Sequence, residues 1–279
     1  MAKSKKPTPA MQQWQEAKDA HPDKLIFFRM GDFYELFYDD SKAAARLLGL
    51  TLTSRDKGGT PMAGVPHHQC DRYLKELVDQ GQKVALVDQL EDPAQAKGVV
   101  KRGITRVVTP GTVLEDNCLQ AQTNNFLAAV SGNGACAGLA WVDLSTGEFL
   151  AAELTHEDLA DELERLAPAE TLLPGSDRRA DGSLSRALRH RGVGVVTERE
   201  DAPFDPDRAA RRLKEQFKVQ SLDGFGLVET SAAVGAAGAV LDERDGVTAV
   251  VEQFGRALAD VAAAGDDDAQ GSRGVVDAH

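Results

Sequence analysis

The chain has 279 residues, 42% of them hydrophobic, and a formal net charge of −12. This length allows two domains with separate cores, and no window approaches the roughly 18 consecutive apolar residues of a membrane-spanning helix. The three cysteines, Cys70, Cys118 and Cys136, stand at wide spacings without a CxxC pair, which indicates buried thiols in a reducing compartment and argues against a zinc site.

The negative charge is unevenly distributed along the chain. Residues 1–116 carry 17 Lys/Arg against 16 Asp/Glu, and the remainder carries 15 against 28, so the two parts have net charges of +1 and −13. A phosphate-bearing ligand, if the chain has one, is therefore expected at the first part. Because even that part is only balanced, we expect modest intrinsic affinity for nucleic acid.

The first half alternates helix and strand signals, which is typical of a mixed α/β domain. Residues 1–8 are polar and lysine-bearing and are predicted to be a disordered lead, with no apolar run that would make a signal peptide. Thr8 is expected to cap a helix that begins at Pro9 and stops before His21. Further strands are predicted at 25–30, 33–38, 50–55, 83–90 and 103–108. Further helices are predicted at 41–48, 67–80 and, as a single turn, 93–97.

The second half follows a polar connection at residues 112–125, where we place a domain boundary. Its first strands are predicted at 126–130, 135–144 and 148–154. A capping box formed by Thr155 and Asp158 then opens a helix. Later elements are predicted as strands at 170–173 and 193–196 and a basic helix at 207–217. Strand pairs thus come first, and strands alternating with helices follow.

One stretch, Arg29 to Phe37, combines a glycine turn, a large ring and a carboxylate. In an extended segment Phe33 and Glu35 project to the same side and Tyr34 to the other. A ring presented at a glycine turn is typical of a wedge that unstacks base steps from the minor groove. The alternative is a core strand, because the neighbouring aromatic residues are ordinary buried β formers, and residue chemistry alone favours that alternative.

Several motifs follow one another in one order along this part of the chain. They are FFRMGDFYELFYDD, TLTSR, PMAGVPHH, YLKELVDQGQKVALVDQLEDPAQAKG and RVVTPGT. In that order they resemble the amino-terminal mismatch-recognition domain of the MutS family of DNA mismatch repair proteins, and the resemblance extends over about residues 9–241. It implies an α/β fold: a mixed-sheet mismatch-recognition domain at 9–116, a linker at 117–125 and a ribonuclease H-like connector domain at 126–241.

The resemblance also implies roles for individual residues in DNA binding. Phe33 corresponds to the family's intercalating phenylalanine, and Glu35 to the carboxylate that hydrogen-bonds a mispaired or unpaired base. Met30 is expected in the core; the alternative, from its place beside Gly31, is that it braces the inserted ring.

Basic residues supply the candidates for contacts to the DNA backbone, and such contacts position a protein without specifying sequence. Arg55 and Lys57 lie at the start of a flexible loop, for which a simply solvated loop is an equal alternative. For the other candidates a solvated face is the favoured interpretation; these are Arg29, Arg72, Lys97, Lys101, Arg102 and Arg106. His67 and His68 are expected to cap and pack a helix rather than to bind a metal.

The resemblance implies double-stranded DNA with mismatches or small loops as the ligand. It also implies a homodimer of full-length subunits, with a MutL-type repair partner through the connector. The sequence contains no GxxxxGK[ST] motif, so no nucleotide cradle and no cofactor are expected in this chain, and ATP and magnesium belong to the full-length family. The family's ATPase and clamp fall in segments that this chain lacks. We therefore expect binding without catalysis, in a bacterial cytoplasm near the nucleoid.

Two alternatives come from other functional classes. In ribonuclease H-like nucleases an aspartate on the first strand begins a carboxylate cluster that holds two metal ions, and Asp143 has a comparable place. No second and third acidic residue falls clearly beside it, so Asp143 is expected to stabilise the turn at 145–147 instead. The other alternative is a scaffold in which the acidic second domain docks repair partners.

After Leu241 the resemblance ends. Residues 242–279 are predicted to be a divergent, partly disordered tail, in which 247–263 retain a helical pattern and the small, acidic and polar residues from Gly265 onward are expected to be disordered.

Overall fold

The computed structural model describes residues 8–54, 59–91, 98–112, 125–132, 134, 136–189, 193–242 and 273–276. These residues form two compact units, and the division between their described parts falls between Pro110 and Gly111. In the described part of the chain, no helix is long and apolar enough to cross a membrane.

The first unit is built on a six-stranded mixed sheet with the order β3-β4-β2-β1-β5-β6. Its strands are β1 Leu25–Met30, β2 Phe33–Phe37, β3 Thr53–Ser54, β4 Pro61–Pro66, β5 Val84–Gln89 and β6 Arg102–Val108. Its helices are α1 Pro9–Ala20, α2 Tyr38–Leu48 and α3 Cys70–Val78, and a short 3-10 helix, His67–Gln69, precedes α3. Only β1 and β5 pair in parallel; the other neighbouring strands are antiparallel.

Local signals located most of these elements. The predicted cap is present, because the Met11 backbone N–H donates to Thr8 Oγ1 at 3.4 Å and Pro9 begins the helix. The strand at 25–30 has the predicted bounds. The strand predicted at 50–55 is shorter than expected, since only Thr53–Ser54 pair among its described residues. The helical turn predicted at 93–97 lies outside the described residues.

Strand β4 was not predicted from the sequence. A proline stands at each end of it and Gly64 lies inside it, and all three residues are unfavourable in strand interiors. The prolines are tolerated because they occupy the strand ends, where a missing N–H costs least. This strand is the direct neighbour of β2 and therefore bears on the site described below.

One face of the first sheet is covered by α1. Trp14 of this helix packs with Phe28 and Phe37 in a buried cluster that also includes Ile26, Ala85, Val87 and Val107. The Trp14 ring contacts Phe37 edge-on, with centroids 6.0 Å apart, and also contacts Tyr38. The helix thus covers the part of this face formed by Ile26, Phe28 and Phe37.

The second unit contains a six-stranded mixed sheet with the order β11-β10-β7-β8-β9-β12. Its strands are β7 Phe126–Gly132, β8 Ala137–Asp143, β9 Phe149–Leu154, β10 Glu170–Pro174, β11 Val195–Arg199 and β12 Arg273–Val276. Its helices are α4 His156–Leu166, α5 Gly175–Ala180, α6 Ser183–Ala187, α7 Pro206–Phe217 and α8 Ala232–Asp242. The first three strands are antiparallel, and β10 and β11 continue in parallel from β7. Each unit combines helices with a mixed sheet, which confirms the predicted α/β fold class. In the second unit the antiparallel strands come first along the chain, and strands alternating with helices follow, as predicted.

Helix α8 was missed because its sequence has no polar face. Its residues from Ala232 to Leu241 are all buried, so no amphipathic period exists, and Gly235 and Gly238 lower helix propensity. The glycines are needed for close packing: a Cβ on Gly238 would lie 2.3 Å from the Cβ of Ala209 in α7. Because α8 is buried on every side, its sequence lacks the amphipathic pattern from which helices are usually predicted.

Four of the described residues of the tail differ from the prediction. Arg273–Val276 pair antiparallel with β9, so the expectation of disorder from Gly265 onward is wrong for these four residues. The helical pattern predicted at 247–263 lies outside the described residues.

Candidate nucleic-acid interface

The site is a tight hairpin between β1 and β2. Met30 pairs with Phe33, so Gly31 and Asp32 alone form the turn. Gly31 has a φ of +61° and Asp32 is not among the residues of positive φ, as in a type II′ turn with glycine first. The turn is fixed from outside, because the His67 backbone N–H donates to the Asp32 carbonyl at 2.8 Å.

Phe33 is the exposed residue of this aromatic segment. Its side chain is 47% exposed, whereas Phe27, Phe28, Tyr34 and Phe37 are each 4% exposed or less. The core interpretation is therefore right for these four neighbours and wrong for Phe33. An apolar ring held at a turn and left in solvent is available for contact with a partner.

Glu35 projects from the same face of the sheet as Phe33, as the strand period predicted. It is half-buried and stands in register with Phe28 on β1 and Gly64 on β4. Gly64 leaves the neighbouring strip open, and a Cβ there would approach Phe33 Cδ1 to 3.9 Å. The Phe33 ring and the Glu35 carboxylate thus lie side by side on this face, and Gly64, which has no side chain, leaves space beside them.

A positive charge lies on the same face. The Arg102 guanidinium stands 5.2 Å over the Phe28 ring, and Phe28 is the cross-strand neighbour of Glu35. Its position is fixed, because Nε donates to the Arg29 carbonyl at 2.7 Å and Nη1 to the Val100 carbonyl at 3.0 Å. The guanidinium therefore places a fixed positive charge on the face of the sheet that also carries Glu35.

Tyr34 lies on the opposite face of the sheet and is buried. Its hydroxyl donates to Asp88 Oδ1 at 2.6 Å, and its ring packs against His67, with centroids 5.5 Å apart. Burial, together with the hydrogen bond to Asp88, raises the pKa of Tyr34 far above its usual value of 10.0. The phenol therefore remains a donor throughout the physiological range.

The other predicted site residues have different surroundings. Met30 is half-buried and packs against the Trp14 cluster, as expected. Arg55 and Lys57 lie outside the described residues. Arg29 has its Nε on the Gly31 carbonyl at 2.5 Å, so it belongs to the hairpin itself. Arg72 forms an exposed pair with Glu76 and fits the predicted solvated face.

Sequence reasoning missed two contributors to this site. Gly64 was overlooked because β4 was not recognised, although a glycine between Ala63 and Val65, both buried, is a signal for a close approach within a strand. Asp88 was overlooked because it lies 54 positions from Tyr34. No local pattern links residues so far apart.

Asp143 stabilises a turn, as predicted. It is fully buried, and its Oδ1 accepts hydrogen bonds from the Ser145 backbone N–H at 2.8 Å and from Ser145 Oγ at 2.6 Å. Glu170 projects to the opposite face of the second sheet, since it is level with Leu127 while Asp143 is level with Phe126. Glu170 accepts instead from the Gly111 backbone N–H and from Thr197. Within the described ranges, no group of three or more His, Cys, Asp or Glu side chains could hold a metal ion.

Comparison with known proteins matches both units. The family model for MutS domain I matches residues 8–117, and the model for MutS domain II matches residues 125–242. The chain belongs to the MutS family. It is 47% identical over 237 residues to the DNA mismatch repair protein MutS of Myxococcus xanthus, covering 84% of this chain and 26% of that protein.

Other relatives give the same coverage. The MutS proteins of Syntrophomonas wolfei and Solibacter usitatus are 43% and 46% identical, over 84% of this chain and 28% and 27% of their own lengths. The chain thus spans about a quarter of the curated relatives that it matches.

Gly31→Ala is expected to destabilise the first unit by about 1–2 kcal/mol, because an alanine must adopt the left-handed φ that the turn requires. Space is not the cause, since nothing lies within 4 Å of a Cβ there. Urea unfolding measures the effect. Gly64→Ala is the matched control, because its nearest contact is an ordinary 3.6 Å and its φ is not positive. Equal losses for the two variants would contradict the conformational explanation.

Proposed function

We propose that this MutS-family chain recognises mispaired or unpaired bases in double-stranded DNA, with Phe33 inserted from the minor groove and Glu35 hydrogen-bonding the displaced base. The observation that carries the proposal is an exposed ring beside a half-buried carboxylate on the same face of a fixed hairpin. The relatives named above, each a DNA mismatch repair protein, support it.

In this proposal, a mismatch is detected first by how easily its base step is unstacked. A well-paired step resists unstacking, whereas a mispaired or bulged step has already lost part of its stacking and pairing. Inserting a ring there costs less by on the order of a few kcal/mol. Phe33 would recover roughly 1–3 kcal/mol by stacking where it enters. Selectivity then comes from the stiffness of the DNA, with little reading of sequence.

Glu35 would make the detection more selective. A carboxylate close to the phosphate backbone is repelled, so it weakens binding to sound duplex. At a displaced base it accepts a hydrogen bond from a ring N–H, or donates one when protonated. The half-buried position of Glu35 beside Phe28 keeps it within reach of the same base step as the ring.

The remaining assignments follow from the same proposal. Met30 and Gly31 support the ring from the hairpin, and Arg55 and Lys57 contact phosphates. DNA binding by this chain requires no cofactor, and ATP and magnesium serve other parts of the full-length family. The full-length protein acts as a homodimer in the cytoplasm, near the nucleoid, and its connector, residues 126–241, receives a MutL-type partner.

Glu35→Ala tests the proposal directly. We expect it to raise affinity for a matched duplex, because a repelled charge is gone, and to reduce the ratio of mismatched to matched affinity by about 10-fold, the value of one charge-assisted hydrogen bond. Fluorescence anisotropy with matched and single-mismatch duplexes at low salt measures both affinities.

Glu76→Ala is a suitable control, since this carboxylate also belongs to the first unit but pairs with Arg72 on α3. The proposal fails if the unaltered chain binds both duplexes equally, or if Glu35→Ala weakens both by the same factor.

A further inference from the structure

A row of polar side chains crosses the first sheet on the face opposite Phe33. Tyr34 of β2 is in register with Arg29 of β1, and Phe28 of β1 is in register with Val87 of β5, which brings Asp88 level with Arg29. The Tyr34 hydroxyl spans β1 to reach Asp88 Oδ1 at 2.6 Å. Thr105 of β6 donates to the second oxygen of Asp88. The row therefore connects four adjacent strands from β2 to β6.

The hairpin that carries Phe33 is attached to this row. The Arg29 guanidinium lies 5.6 Å over the Tyr34 ring, and its Nε donates to the Gly31 carbonyl in the turn. The Tyr34 ring also packs on His67, whose backbone N–H holds the Asp32 carbonyl. Both peptide carbonyls of the turn are thus held by groups that contact the Tyr34 ring.

We propose that Tyr34 and Asp88 are positioning residues for mismatch recognition: their hydrogen bond fixes the hairpin from behind, so that Phe33 and Glu35 meet the DNA as a rigid pair. This inference rests on the function proposed above and adds residues that do not touch DNA. Tyr34 is sealed on the far face and Asp88 belongs to another strand, so both act through the hairpin.

Rigidity is what a mechanical detector needs. The Phe33 ring can report the stiffness of a base step only if the hairpin that carries it deforms less easily than the step does. On a flexible hairpin the ring would be displaced by paired and mispaired steps alike, and the discrimination would be lost. Tyr34 is suited to this role because it sits between the two contacting residues in sequence. Any rotation of its backbone displaces both of them.

The test uses the 279-residue chain with Tyr34→Phe, Asp88→Asn and the double variant. Tyr34→Phe removes only the hydroxyl, and Asp88→Asn leaves one acceptor oxygen where the carboxylate uses two. Tyr73→Phe is the matched control, because it removes a tyrosine hydroxyl from α3 of the same unit. Thermal unfolding of each variant establishes that it is folded.

Two measurements are made on every variant. Hydrogen exchange of the backbone amides of residues 31–35 reports the hairpin without DNA. The ratio of affinities for mismatched and matched duplex, with the fluorescence of 2-aminopurine beside the mismatch as a signature of unstacking, reports recognition.

We expect Tyr34→Phe to speed exchange in the hairpin and to lower the affinity ratio by about 3- to 10-fold, the value of one hydrogen bond, with a smaller 2-aminopurine signal. The double variant should lose no more than the larger of the two single losses, because both act through one bond. Tyr73→Phe should change neither measurement.

The outcomes separate this inference from the function on which it rests. If the unaltered chain prefers the mismatch and Tyr34→Phe keeps the full preference, the positioning role is overturned. Equal weakening on both duplexes overturns it as well, since that is the result of lost stability alone. If the unaltered chain shows no preference for the mismatch, the proposed function fails. The hydrogen exchange of residues 31–35 still tests the hairpin without DNA, and an unchanged exchange rate in Tyr34→Phe would then show that Tyr34 does not hold the hairpin rigid.

Discussion

Phe33→Ala is expected to lower affinity for a single-mismatch duplex by about 5- to 150-fold while leaving affinity for matched duplex nearly unchanged. This range corresponds to the roughly 1–3 kcal/mol that an aromatic side chain contributes by stacking on a base. Matched duplex is spared because the ring does not enter a sound step. Anisotropy titrations with the two duplexes, at one fixed salt concentration, measure the effect.

Stability should not change in this variant, because the ring is 47% exposed and few of its contacts are lost. Leu52→Ala is a close control, since Leu52 in the same unit is also 47% exposed. We expect the control to affect neither duplex. A parallel loss on both duplexes, or a similar loss in Leu52→Ala, would mean that Phe33 contributes only general apolar surface and is not a wedge.

Gly138→Ala is expected to have the largest effect on stability, about 3 kcal/mol or more in the second unit, at or above the usual cost of overpacking. A Cβ on Gly138 would lie 2.1 Å from the carbonyl carbon and oxygen of Ala232, at the start of α8. Backbone atoms stand on both sides of this contact, so no side-chain rotation relieves it. Ser131, the cross-strand neighbour of Gly138, also bonds the Ala232 carbonyl, through Oγ at 2.8 Å, which ties the helix to this spot.

The two tryptophans allow the second unit to be followed by itself. Trp14 lies in the first unit and Trp141 in the second, and the chain has no others. In a Trp14→Phe background, urea unfolding monitored by fluorescence therefore reports the surroundings of Trp141. Gly132→Ala is the control, because its Cβ would meet Leu184 at an ordinary 3.6 Å. Since alanine is favoured over glycine in strands, an unchanged or higher midpoint for Gly138→Ala would show that α8 does not rest on this residue.

Much of the candidate site could be predicted from local sequence. The alternation of side chains in a strand put Phe33 and Glu35 on one face and Tyr34 on the other, and the Gly31-Asp32 break located the turn. The exposure of Phe33 could not be predicted in this way, because an aromatic residue in an apolar strand is most often buried. Its exposure depends on which part of the sheet face the other elements of the unit cover, and that is a property of the packed unit.

Features that depend on neighbours a few positions apart could be predicted from the sequence alone: the Thr8 and Thr155 caps, the β1–β2 hairpin and the alternation that pairs a ring with a carboxylate. Contacts between distant segments became visible only in the folded chain. It placed Asp88 behind Tyr34 and Arg102 over Phe28, and it put Asp143 and Glu170 on opposite faces of their sheet. The physical reason is that backbone propensity and side-chain period act over one or two turns of chain. Strand order and helix docking are instead set by the burial of whole faces, to which every segment of a unit contributes.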